Sequence, residues 1–82
     1  MMSDAYRALK RLAEVPRGIA QTLMLAYGFD EELLADLVLA GFVTVKRRTA
    51  RFGERMIEIE LVMITDAGRK AMWHQFSKLF PG

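Results

Sequence analysis

The stretch Glu31–Ala71, EELLADLVLAGFVTVKRRTARFGERMIEIELVMITDAGRKA, decides the fold, because its hydrophobic period changes twice. Leu33, Leu34, Leu37 and Val38 recur at helical spacing and form one stripe. Asp30 is a good N-cap for that helix, and Glu31 and Glu32 fall in its first turn, where the helix dipole favours acids. Gly41 closes it. From Phe42 the pattern becomes extended. FVTVKRR is rich in β-branched residues, and MIEIELVMI alternates between Met56 and Leu61. Ile57, Ile59 and Leu61 fall on one side and Glu58 and Glu60 on the other. Two such runs, joined through TARFGE around Gly53, make an antiparallel hairpin with one buried and one wet face. Thr65 and Asp66 can then cap a last helix from about Ala67 to Leu79.

Upstream, Ser3 or Asp4 can cap a helix running to about Glu14. Ala5, Leu9, Leu12 and Ala13 share its apolar face; Arg7, Lys10, Arg11 and Glu14 take the other. Val15-Pro16 interrupts it, since the residue before proline avoids the helical region. A second helix is expected from about Arg17 to Ala26, with Ile19, Ala20, Leu23 and Met24 inside and Gly28 at its end. The expected fold class is α+β, mainly α: three helices, a two-stranded hairpin and a C-terminal helix, in one domain over residues 1–82.

A chain of 82 residues buries a modest fraction of its surface, yet 52% of this one is hydrophobic. Some of that apolar surface is expected to face a partner or a second copy. The absence of cysteine excludes disulfides, thiolate metal sites and thiol nucleophiles. No run of about 18 apolar residues and no signal-peptide pattern occurs, so no membrane span is expected and the expected location is cytoplasmic. The net charge of +2 is unevenly placed: five bases lie between Lys46 and Arg55 against Glu54 alone, while four acids and no base lie between Asp30 and Asp36. Such asymmetry predicts a bipolar surface field, although each cluster can also be an ordinary solvated face.

The order of elements resembles the winged-helix fold. The nearest echo is the MarR-like and PadR-like bacterial regulators, in which an apolar helix ends in glycine, a hydrophobic strand and charged wing follow, and an "LT-x-x-G-R" run enters the next helix. The matching residues are Leu34, Leu37, Gly41, Phe42 and Val43, then the basic segment, then Ile64-Thr65-Asp66-Ala67-Gly68-Arg69, within a span of roughly Arg17 to Met72. The resemblance implies a small transcriptional regulator that binds duplex DNA through its third helix and its wing. In the wing, Lys46, Arg47, Arg48, Arg51 and Arg55 are suited to phosphate contacts. Phe52 can meet a sugar or base, or fold over the hairpin's apolar face. Lys46 can pair across the hairpin with Glu58 or Glu60, depending on register. Arg17, Gln21 and Thr22 would supplement the wing from the start of the second helix. The resemblance also implies a homodimer through the terminal helices, here Met72, Trp73, Phe76, Leu79 and Phe80 with Ala5, Tyr6, Leu9 and Leu12.

The third helix departs from that pattern. With its leucines inside, Glu32, Ala35, Asp36 and Leu39 face out, and a carboxylate-bearing face repels a polyanion and lacks the donors that base reading uses. This face fits a basic or apolar protein partner instead, which defines the alternative function of a protein-interaction module. No enzyme, metal or cofactor is expected. His74 is the single histidine, no glycine-rich phosphate loop occurs, and Glu58 and Glu60 read as a solvated strand face rather than an acid–base pair.

Overall fold

The computed structural model describes residues 3–79, with side chains through His74. The elements are α1 (Asp4–Ala13), β1 (Ile19–Ala20), α2 (Gln21–Ala26), α3 (Glu31–Leu39), β2 (Val43–Phe52), β3 (Arg55–Ile64) and α4 (Asp66–Leu79). The strands form one antiparallel sheet in the order β1-β3-β2.

This corrects the expected winged-helix class, with its two-stranded hairpin. The protein has four helices and a three-stranded sheet, because Ile19 and Ala20, expected inside a helix, pair with Val62 and Leu61 of β3. The local cause is Gly18, whose φ of 101° cannot belong to a right-handed helix. A Cβ at Gly18 would lie 2.8 Å from Met63 Cγ and 3.1 Å from the Val62 carbonyl oxygen, so only glycine lets the chain pass this close to β3. The second helix therefore starts at Gln21 rather than near Arg17, and it has no side-chain cap.

The other helices begin and end as their residues dictate. Ser3 Oγ accepts a hydrogen bond from the Tyr6 N–H, and Asp30 Oδ1 accepts one from the Leu33 N–H at 2.7 Å. At the end of α3 the Phe42 N–H reaches the Leu37 carbonyl and the Gly41 N–H reaches that of Val38, a pairing made possible by the left-handed Gly41 (φ 78°).

The core is assembled from nearly every element: Ala8, Leu9 and Leu12 of α1, Ile19, Met24, Phe29, Leu34, Leu37, Val43 and Val62. Leu33 and Met72 pack against it, half-buried. Leu23 and Val38, expected inside, are exposed because short helices on a small core cover only part of an apolar stripe. Tyr6, expected at a dimer interface, is buried within the protein.

Thr65 ties α4 to the corner between α3 and β2. Its N–H donates to the Phe42 carbonyl at 3.0 Å, its hydroxyl donates to the Gly41 carbonyl at 2.6 Å, and the same oxygen accepts from the Gly68 N–H at 3.0 Å. Gly68 is needed for this approach, since a Cβ there would lie 2.1 Å from the Phe42 oxygen. Thr65→Ala is expected to cost about 1–2 kcal/mol, the value of a lost helix cap. Gly68→Ala should cost more, because backbone must move; overpacking of this kind costs about 1–3 kcal/mol. Thermal unfolding of the two variants checks the order, and a Gly68→Ala protein as stable as the parent would show that the corner is not closely packed.

Candidate nucleic-acid interface

The hairpin is longer than its sequence pattern announced. Thr49 to Phe52, expected in the turn, continue β2, and the connection is only Gly53 and Glu54. Strands of this length span roughly 33 Å. Between Thr44 and Glu58 every residue except the half-buried Ala50 is exposed, so the distal hairpin is an arm beyond the helical body. The protein measures 54 × 22 × 21 Å accordingly.

Register assigns the side chains to two faces. Val43, Val45, Arg47, Thr49 and Arg51 lie opposite Ile64, Val62, Glu60, Glu58 and Met56 on the inner face. Thr44, Lys46, Arg48, Ala50 and Phe52 lie opposite Met63, Leu61, Ile59, Ile57 and Arg55 on the outer face. The expected burial is thus inverted. Val62, 1% exposed, shares its face with Glu58 and Glu60, whereas Ile57, on the outer face, is 43% exposed. Alternation separates the two faces but does not say which one the helices cover. Here the deepest burial is at the base of the inner face, and Met63, Leu61 and Ile59 of the outer face are half-buried.

All five expected cations, Lys46, Arg47, Arg48, Arg51 and Arg55, are exposed on this arm. The cross-strand ion pair involves Arg47 rather than Lys46: Arg47 Nε lies 3.6 Å from Glu60 Oε1, its partner in the ladder, while Lys46 sits opposite Leu61. Arg51 Nε donates to the Gly53 carbonyl at 3.3 Å, which holds this guanidinium at the turn. Phe52 is 59% exposed and does not fold over an apolar surface. Gln21 and Thr22, at the start of α2, line an open cleft of about 510 Å³ with Arg47, Glu58 and Glu60. Arg17 does not join them; it lies exposed in the turn before β1.

The two arginines of α1 are engaged within the protein. Arg7 contacts Asp4 at 3.4 Å and lies over the Phe29 ring at 6.0 Å, and the Arg11 guanidinium stacks 4.5 Å from the Tyr27 centroid. The hairpin is the larger cationic surface left to a ligand.

On α3, Glu32, Ala35, Asp36 and Leu39 are all exposed, and Leu39 is 86% exposed. Of the expected dimer residues, Met72 is half-buried against the core and Trp73 is 59% exposed; the side chains of Phe76 and Leu79, and all of Phe80, lie outside the described residues. Among the described residues no three metal-ligating side chains converge, and no helix is long and apolar enough to cross a membrane. No family model, curated protein or solved structure matches the chain.

The Arg47–Glu60 pair lies on an exposed ribbon, and such pairs contribute about 0–1 kcal/mol. Glu60→Gln is therefore expected to leave the unfolding temperature within about 4–8 °C of the parent, the shift that 1 kcal/mol produces in a domain of this size. A larger fall in a thermal melt would mean that the pair holds the arm's base.

Proposed function

We propose that this protein binds duplex DNA through the β2–β3 arm and acts as a small cytoplasmic regulator of transcription. The observation that carries the reading is the concentration of Lys46, Arg47, Arg48, Arg51 and Arg55 on an exposed two-stranded ribbon, where among the described residues Arg47 alone is ion-paired. Lys46 and Arg51 are separated by roughly 17 Å of strand, which is long enough to address several phosphates of one duplex. Gln21 and Thr22 add polar groups beside Arg47. Phosphate contacts of this kind give affinity without reading sequence, and no element rich in base-edge donors accompanies them. The likeness of Leu34–Val43 and Ile64–Arg69 to MarR-like and PadR-like regulators agrees with this role.

A second reading has its own support. Leu39 and Val38 are exposed together on α3, with Glu32 and Asp36 on the same helix, and this acidic and apolar surface fits a protein-interaction face.

Titrating a fluorescent random-sequence duplex across a salt series tests the DNA reading. Each phosphate neutralised contributes about −0.9 to the slope of log affinity against log salt, so five contacts give an expected slope of about −4.5. Replacing Arg47, Arg48 and Arg51 together with Ala should make it about 2.7 less steep. Glu60→Gln should tighten binding by freeing Arg47. No binding at low salt would overturn the proposal.

A further inference from the structure

We infer that the outer face of the arm docks on the exposed face of α3 in a second copy of this chain, head to tail. A single chain leaves the exposed side of α3 fully open and the outer face of the arm open in part.

The outer face is divided lengthwise. Lys46 and Arg48 lie along β2, and Leu61 and Ile59 lie directly across from them on β3, with Ile57 beyond. The face thus carries a cationic row beside an aliphatic row. The exposed face of α3 has the complementary division. At about 100° per residue, Glu32 and Asp36 occupy one edge of the stripe, and Leu39 the adjoining edge. Spacing matches as well as sign. Glu32 and Asp36 are roughly 6 Å apart along the helix axis, and Lys46 and Arg48 roughly 6.8 Å apart along the strand. Laying the acids on the cations sets Leu39 against the aliphatic row, so Leu39 and the accessible parts of the half-buried Ile59 and Leu61 lose water together.

The contact cannot form within one chain. Leu34, Ala35 and Val38 line a cleft with Val45 and Val62 of the inner face, whereas Lys46 and Arg48 belong to the opposite face of the sheet. A second copy supplies the matching chemistry: each chain carries one acidic–aliphatic face and one basic–aliphatic face, and like faces repel. The resulting interface is heterologous, so association proceeds as an open chain or a closed ring rather than a two-fold dimer. Two surfaces this narrow make a small interface of the transient class.

Charge reversal tests this without DNA. Sedimentation velocity at low salt, over a range of concentrations, should show the parent protein associating reversibly. Glu32→Lys with Asp36→Lys should weaken association at least tenfold, and so should Lys46→Glu with Arg48→Glu. Mixing the two reversed proteins should restore it, because both junctions of an alternating assembly again join acid to base. The mixture also shows that both variants are folded. A parent that stays monomeric, reversals without effect, or a mixture that does not associate would each overturn the inference. So would association abolished by Trp73→Ala but indifferent to the reversals, since that places the contact on the terminal helix.

Discussion

The Phe42 carbonyl is the point on which the rest of the structure depends. It accepts the Thr65 N–H and lies where a Cβ on Gly68 would stand. Within these few residues α3 ends, β2 begins, β3 ends and α4 begins. The Thr65 hydroxyl binds both sides of the junction, donating to Gly41 and accepting from Gly68. Four orphan backbone groups at helix ends and strand ends are thereby satisfied in a region too small to hide them otherwise. The direction of the arm follows from this closure. Val43 and Ile64 are the first pair of the ladder, and between Thr44 and Glu58 every residue but Ala50 is exposed. The arm is aimed from its base.

What was legible in the sequence is what local chemistry dictates. Ser3 and Asp30 cap their helices through their own oxygens, Gly41 terminates α3, and alternation marks the hairpin. Two things were not legible, for different reasons. The strand Ile19–Ala20 is two residues long, too short to show a period, and it exists because Gly18 allows close approach to Met63, a partner more than forty residues away. The faces and pairings of the hairpin depend on where the turn falls. A turn spread over TARFGE leaves the register open. A turn of Gly53 and Glu54 alone pairs Arg47 with Glu60 and turns Lys46 to the opposite face. The candidate cations were therefore found by composition, but their division between faces needed the register.

That division gives the charge pattern its meaning. A chain of net charge +2 carries little long-range field as a whole, yet α1 settles much of its positive charge locally through Asp4, Phe29 and Tyr27. The densest group of remaining cations, Lys46, Arg47, Arg48, Arg51 and Arg55, stands on the arm, where Glu54, Glu58 and Glu60 offset part of it, and the densest group of acids, Asp30, Glu31, Glu32 and Asp36, stands at and along α3. Such an arrangement orients the molecule toward anions at one end and toward cations at another.

The two faces of the arm then allow two contacts at once. Arg47 and Arg51 belong to the inner face, and Lys46 and Arg48 to the outer. A neighbouring copy held on the outer face would compete with phosphates for Lys46 and Arg48 and leave Arg47 and Arg51 of the inner face to a duplex. Self-association and backbone binding share a dependence on salt, because both are charge contacts made at solvent-exposed groups. They differ in their apolar component. The outer row of Ile57, Ile59 and Leu61 has no counterpart in a phosphate chain, whereas Leu39 on α3 offers one. High salt should therefore release a duplex before it releases a neighbour: screening removes the ionic part of each contact and leaves aliphatic burial, which salt does not weaken, to the protein alone.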